Sequence, residues 1–350
     1  MNKLYVGIDL HSNNSYFAAM DESGNEVFHK RISNDFLAVN SVLSQISKKG
    51  EVISLAVEST YNWYWIVDHL QDLGHTVFLA NPSQIKQYDG VKHTNDKSDA
   101  FHLAELMRLK ILPSCWIYPK EDRPLRDLLR TRMKFVEKRT SFKNSLTSII
   151  SRETGLRLTS DKILALNYSE LKQLLKHELI YFRVCHYHSQ IRLLTSSIDD
   201  IEKECLKKLK VTEEYKALTS IPGIGPILAM VILVETGHIE RFAKSGNYSS
   251  YCRCVNSQRT SNGKNKGKNN TKNGNKFLSW AFAEAAITTK RFCPEANRYW
   301  QRKNSKTSKM VAYKSLAAKL SKACYYIMRD GTAFSTKKLF GYESETNLTL

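Results

Sequence analysis

Apolar and polar positions follow two different periods along the first third of the chain. Residues 3–9, 15–21 and 26–32 carry the dense, short-period pattern of strands, and DESGNE joins the second to the third, so the segment predicts an antiparallel meander. Residues 34–48 place Phe36, Val39, Val42, Leu43 and Ile46 at helical spacing. A strand at 52–57 ends on Glu58. A helix over 62–72 leads to a strand at 75–80, and Asn81-Pro82 breaks the pattern. A last helix, from about 97 to 110, lines up Ala100, Leu103, Ala104, Leu106 and Met107 on one side.

Three hairpin-connected strands followed by alternating helix and strand is the element order of a ribonuclease-H-like α/β domain, expected over residues 1–112. Pro113, Pro119 and Pro124 then mark a linker. From about 125 to 215 the pattern is almost wholly helical. LRDLLRTRMKFVEKRTSFKNSLTSII and QIRLLTSSIDDIEKECLKKL both repeat apolar residues every three or four positions, which predicts a helical hairpin or coiled-coil arm over 113–215. ALTSIPGIGPILAMVILVETGHIERF opens a mostly helical third region, 216–335. Gly223-Ile224-Gly225 lies there between two helical patterns. It is either a helix-hairpin-helix turn whose glycines admit a phosphate to backbone amides, or a tight turn between core helices. Residues 243–276 cannot bury a core and would be disordered alone. Helical patterns return at 277–290 and 309–329, and 336–350 reads as a tail.

Charge divides the chain. Residues 1–110 hold 10 Lys/Arg against 13 Asp/Glu, whereas the remainder holds 43 against 21. That is a near-neutral front attached to a body suited to phosphates. Between Phe242 and Ala283 there is no acid, and RTSNGKNKGKNNTKNGNK carries Arg259, Lys264, Lys266, Lys268 and Lys272. Its natural partner is a nucleic-acid backbone. No apolar stretch approaches the ~18–20 residues needed to span a bilayer. Asp9 interrupts the apolar start too early for an export signal, and seven scattered cysteines suit reduced thiols, so a cytoplasmic protein is expected. Cys252-x-Cys254 lacks a second pair at zinc spacing, and His186-x-His188 points its rings apart on a helix.

The candidate chemistry rests on four acids. Asp9 and Glu58 close two apolar strands, where a carboxylate is costly unless something binds it. Asp96 and Asp99 share one face at the start of a helix. Carboxylates from two strand ends and one helix suit a pair of hard divalent cations, Mg²⁺ first. Two such ions about 3.5–4 Å apart clamp the attacking and leaving oxygens of a phosphodiester. His11 stands near Asp9, either touching that shell or shaping the loop.

GIDLHSNN, AVEST, NPSQIK, HTNDKSDAFHLAEL, SIPGIGPILA, TGHIERF and TKNGNKFL, in this order, resemble the DEDD transposases of bacterial insertion sequences. Relatives of that family are the Piv-type invertases and the bridge-RNA-guided recombinases. The resemblance implies a RuvC-like domain with Asp9, Glu58, Asp96 and Asp99 as its metal-binding tetrad. It implies a nucleoid-associated DNA recombinase with a serine nucleophile, a structured guide RNA, and a homo-dimer or homo-tetramer that joins tetrad and serine between subunits. Aligning back from Thr271-Lys272-Asn273-Gly274-Asn275 puts the serine at Ser261, with Ser257 as fallback. Asn262 follows Ser261 where the family has glycine, and YCRCVNSQ replaces its usual glycine and proline.

Three other functions stay open at this point. A resolvase-like Mg²⁺-dependent endonuclease would use water and leave Ser261 structural. A sugar-kinase or actin-like ATPase shares VGIDL but needs glycine-rich phosphate loops, where this chain has His11-Ser12-Asn13-Asn14. A non-catalytic nucleic-acid-binding protein would make the four acids accidental.

Overall fold

In the computed structural model, residues 2–85, 95–257, 260–267 and 273–341 are described. Arg259, Lys268 and Lys272 of the expected basic surface lie outside them. Two units separate at residue 120, Met1–Lys120 and Glu121–Leu350.

The first unit is built on β1 (Lys3–Leu10), β2 (Asn14–Asp21), β3 (Glu26–Ser33), β4 (Glu51–Glu58), β5 (Val77–Ala80) and β6 (Ser114–Cys115). They form one sheet in the order β3-β2-β1-β4-β5-β6. The first three strands are antiparallel, β4 and β5 run parallel to β1, and β6 is antiparallel to β5. The helices are α1 (Phe36–Ser47), α2 (Tyr64–Asp72) and α3 (Asp96–Arg108). The sequence pattern does not announce β6, because two residues carry no period.

Alternation along β1 decides which helices go where. Leu4, Val6, Ile8 and Leu10 join Val39, Val42 and Ile46 of α1 and Ile66, Val67 and Leu70 of α2 in one apolar cluster. The opposite face carries Tyr5, Gly7 and Asp9. There the neighbours are small: Ala18 on β2, Ala56 on β4 and Ala80 on β5. Against them lie Ala100, Ala104, Leu103 and Met107 of α3. Gly7 fixes the closeness of that contact. A Cβ at this position would sit 1.9 Å from the Ala100 carbonyl oxygen and 2.8 Å from the Ala104 nitrogen.

The second unit is mostly helical. Long helices α4 (Arg123–Thr154) and α7 (Glu178–Lys208) pair antiparallel. Leu146, Ile149 and Ile150 of α4 meet Val184 and Ile191 of α7, while at the other end Arg132 bonds Glu202. Short α5 (Ser160–Ala165) and α6 (Tyr168–Leu174) cover the bend through Ile163 and Leu171. Then come α8 (Glu213–Thr219), α9 (Pro226–Thr236), a single 3₁₀ turn (Ile239–Arg241) and α10 (Ser245–Tyr251). A small hairpin, β7 (Thr260–Ser261) and β8 (Lys264–Asn265), precedes α11 (Lys276–Phe292), α12 (Pro294–Asn304), α13 (Lys309–Asp330) and α14 (Thr336–Phe340). Met230, Tyr248, Phe282, Leu316, Leu320 and Tyr325 centre the core.

Two segments are more ordered than composition suggests. Within 243–276, α10 forms because Tyr248 and Ser249 are fully buried against α13 and its neighbours. Residues 336–340, read as tail, form α14 because Phe340 packs on Tyr299. No helix among the described residues is long and apolar enough to cross a membrane.

Candidate active site

The sheet register places two of the four acids side by side. Gly7 is opposite Ala56 and Ile8 opposite Val57, so Asp9 and Glu58 end adjacent parallel strands on the face that α3 covers. Asn95 caps α3. Its side chain accepts from the Ser98 backbone N–H, and the Ser98 hydroxyl accepts in return from the Asn95 N–H. Asp96 and Asp99 occupy the first turn, where the positive end of the helix dipole favours carboxylates. Close packing at Gly7 then carries that turn toward Asp9.

Asp9 feels the charge of the other three acids. Asp9 is only 4 % exposed. Burial raises its pKa to about 6, and the charges of Glu58, Asp96 and Asp99 add to the rise against the lowering effect of His11. Glu58 is raised first by burial and also by Asp99, although it shares a hydrogen bond with Asp9. Asp99 is raised by burial and then by Asp96. The cluster therefore holds protons that isolated carboxylates would release.

His11 and Arg31 stand beside these carboxylates. His11 Nε2 lies 3.2 Å from Asp9 Oδ2 and 3.4 Å from Asp96 Oδ2. Ligand atoms of Asp9, His11 and Asp96 all lie within 4.8 Å of one another. Arg31 of β3 bonds Asp96 Oδ2. The His11 loop is pinned by Asn34 Nδ2 and Asn62 Nδ2, each donating to its carbonyl at 2.9 Å. Crowded carboxyl oxygens with raised pKa values form a hard donor set that fits divalent cations, because binding would displace the protons and relieve the repulsion.

In the second unit the serine segment leaves and re-enters the core through one neck. The Asn275 N–H donates to the Tyr251 carbonyl at 2.6 Å, and Arg253 donates to the Gly274 carbonyl at 3.0 and 2.8 Å. Gly274, at φ +92°, has no room for a side chain, since a Cβ would meet the Tyr251 oxygen at 2.4 Å. Beyond the neck, Ser261 pairs with Lys264. Between them Asn262 (φ +50°) and Gly263 (φ +69°) are both left-handed, the requirement of a type I′ hairpin turn. Asparagine satisfies that geometry after the serine. Ser261, Lys264 and Lys266 are exposed.

Asn275 ties the neck to a buried ion cluster. Its Oδ1 accepts from Phe277 and Leu278, capping α11, while its Nδ2 donates to Glu235 Oε2 at 2.7 Å. Glu235, 2 % exposed at the end of α9, also accepts from Arg130 at 2.5 and 2.8 Å and from Arg126 at 3.3 Å. Burial pushes its pKa up, but the two arginines and Asn275 outweigh it and hold the carboxyl below its ordinary range.

The glycine turn between α8 and α9 has a packing reason. Gly223, at φ +97°, abuts the backbone of α11. A Cβ there would lie 2.3 Å from the Thr289 nitrogen, and Thr288 Oγ1 donates to the Gly223 carbonyl at 2.8 Å. Gly225 caps α9 in open space. Cys252 and Cys254 are buried thiols, and burial pushes Cys254 up to about 12, so both are poor ligands and nucleophiles as they stand.

Comparison with known proteins gives the family. Residues 6–153 match the family described as DEDD transposase of IS110 type, and residues 215–301 match that described as transposase, IS116/IS110/IS902 family. The chain belongs to the DEDD transposases of insertion sequences. Its relatives include the transposase for insertion sequence element IS1328 of Yersinia enterocolitica, 24 % identical over 95 % of this chain and 99 % of that protein. The transposase for IS1111A of Coxiella burnetii is 25 % identical over 78 % of this chain and 74 % of its own. That for IS1533 of Leptospira borgpetersenii is 22 % identical over 67 % and 69 %.

In this DEDD transposase the first matched region spans Asp9, Glu58, Asp96 and Asp99, and the second spans the glycine turn, Glu235, Ser261 and Asn275. Arg31, Asn34 and Asn62 join the site without any sequence signal. Glu235 did leave one: an acid closing an otherwise apolar helix has to be paired inside.

Proposed function

We propose that this transposase cleaves and rejoins DNA strands through a metal-dependent reaction with Ser261 as nucleophile. The observation that carries the proposal is the convergence of Asp9, Glu58 and the first turn of α3 on one face of the sheet. Their order along the chain, Asp, Glu, Asp, Asp, is the order in the family's name. The sheet order, with helices on both faces, supports a ribonuclease-H-like, RuvC-like reading of residues 1–112. Because β6 returns residues 113–120 to the first unit, the arm is taken as 121–215, and 216–335 as the serine-bearing domain with a helix-hairpin-helix.

Asp9, Glu58, Asp96 and Asp99 would hold Mg²⁺, as a two-metal site. When bound, it supplies positive charge to the phosphate and the departing oxygen. The protein's own contributions are separate. Asn34 and Asn62 fix the His11 loop beside the acids, and the type I′ turn presents the Ser261 hydroxyl outward. That hydroxyl attacks a DNA phosphorus, giving up its proton to solvent, and forms a phosphoserine ester as the P–O bond to the leaving sugar oxygen breaks and that oxygen takes up a proton. The bond energy retained in the ester drives rejoining. Lys264 beside it, with Lys266, Arg259, Lys268, Lys272 and the Gly223-Gly225 turn, contacts nucleic-acid phosphate. Family resemblance adds a structured guide RNA and a homo-dimer or homo-tetramer in which tetrad and serine meet between subunits.

Mass spectrometry of trapped reactions tests the step. Wild-type protein should yield a nucleotide remnant on the peptide containing Ser261, and Ser261→Ala should bind DNA yet yield none. DNA cleavage without any adduct would favour a resolvase-like endonuclease using water. Retained cleavage in Asp9→Ala would end the metal reading.

A further inference from the structure

A second concentration of positive charge lies outside the serine segment. From Lys290 to Gly341 there are thirteen lysines and arginines against two acids, Glu295 and Asp330. Both acids are engaged locally: Glu295 is buried, 3.2 Å from Cys293 Sγ and 3.7 Å from Arg298, and Asp330 is bonded by Arg329 at 2.5 and 2.9 Å. Asp330 is exposed at the end of α13, and no other exposed acid lies on α12 or α13 among the described residues.

Part of this charge is concentrated at one place. Arg302, Lys303 and Lys319 gather over a single ring, that of Tyr299, at 5.7, 5.9 and 5.1 Å from its centre. Lys319 donates to the Leu339 carbonyl at 2.6 Å, which fixes its ammonium there. Its pKa is lowered by partial burial and then by Arg302, Lys322 and Lys303. Lys322 and Lys338 line a neighbouring hollow that Leu339 and Asp330 also border. Like charges assembled on well-packed helices cost free energy unless an anion meets them.

We propose that the α12–α13 face is a second phosphate-binding surface, formed by Arg302, Lys303, Lys319, Lys322 and Lys338, that grips the backbone of duplex DNA away from the serine hairpin's own basic residues. Duplex DNA is the occupant because the family acts on DNA elements and because the array is rigid. Tyr299, Leu316 and Leu320 anchor both helices in the core. A fixed set of cations meets the regular phosphate spacing of a duplex with little ordering cost. Such contacts carry no base information, so the surface holds and orients the DNA. The inference rests on DNA being the partner, not on the serine chemistry.

The test uses full-length protein and the variant Arg302→Gln, Lys303→Gln, Lys322→Gln, Lys338→Gln. All four side chains are exposed, and Lys319 keeps its structural bond. Duplex binding is measured by fluorescence anisotropy across a salt series, with circular dichroism as the control for folding. The slope of log K against log salt should become shallower by about 2–4, at roughly 0.9 per lost contact, alike for unrelated sequences. An unchanged slope in the folded variant overturns the surface while leaving the Ser261 adduct assay to judge the chemistry separately. A shallower slope for an RNA hairpin with an unchanged slope for duplex DNA also overturns it. A weakened variant whose wild type forms no serine adduct supports the surface and defeats the serine mechanism alone.

Discussion

Glu235 offers the sharpest test of how the serine segment is held. Its carboxylate accepts from Arg126, Arg130 and Asn275 while only 2 % exposed, so Glu235→Ala leaves two buried or half-buried guanidiniums facing a cavity. Removing one partner of a buried ion cluster costs about 3–5 kcal/mol, because the stranded charge keeps its desolvation penalty. For a unit of this size, each kcal/mol moves the melting point by roughly 2–4 °C, so a fall of about 10 °C is expected. Glu235→Gln keeps the shape and one acceptor and should fall between wild type and Ala. The decisive comparison adds Arg126→Met and Arg130→Met to Glu235→Ala. Removing the whole cluster should recover much of the loss, since apolar replacement of a buried ion group is often neutral. Thermal melts read the stability, and hydrogen exchange at the Asn275 amide reads the neck directly. A Glu235→Ala protein melting within about 2 °C of wild type, far inside the shift that 3 kcal/mol implies, would refute the network as the anchor. Acid should mimic the mutation. A carboxyl held below its ordinary value lends stability above that value, and this stability is lost as pH falls through the folded pKa.

The other predictions concern the first unit. Gly7→Val should push α3 off the sheet, because even a Cβ would meet the Ala100 oxygen at 1.9 Å. A cost of about 3 kcal/mol and loss of divalent-cation binding by calorimetry are expected, and a variant that binds the cation normally would count against it. Asp9, raised to about 6, should lend the cation-free first unit a stability contribution that is present in acid and lost as pH rises through that value. The loss is below the roughly 3 kcal/mol that two pKa units represent, since the cleft is partly solvated. Asp9→Asn should accordingly raise the melting point of the metal-free protein at about pH 8 while abolishing cleavage, and a lower melting point there would contradict the charge argument.

Elements with a strong period were legible in the sequence. Val39, Val42 and Ile46 predict the buried face of α1, and Ala100, Ala104 and Met107 that of α3, because a helix stripe reports its own burial. The four acids stand out in the sequence for a related reason, as polar residues at the ends of apolar patterns, and their role as a site is the proposal made above. Arg31, Asn34 and Asn62 were not, since each acts through a contact dozens of positions away and its local sequence only describes a surface. Gly7 was read as part of a strand. Its need for emptiness belongs to α3, far along the chain. Asn262-Gly263 is a pair that suits a type I′ turn, yet the composition of 243–276 predicts disorder, so the hairpin was not legible.

The split of the tetrad between sheet and helix has a mechanical meaning. Asp9 and Glu58 are fixed by strand hydrogen bonds, whereas Asp96 and Asp99 travel with α3, which rests on alanines and a glycine that offer little area to grip. Without a cation, the repulsion among the acids pushes α3 away from the surface it packs on. A cation bound as proposed would draw the same carboxylates together, so cation affinity and helix docking would become a single free energy. The first unit would then behave as a clasp, and the concentration of divalent ion would set how firmly it is shut.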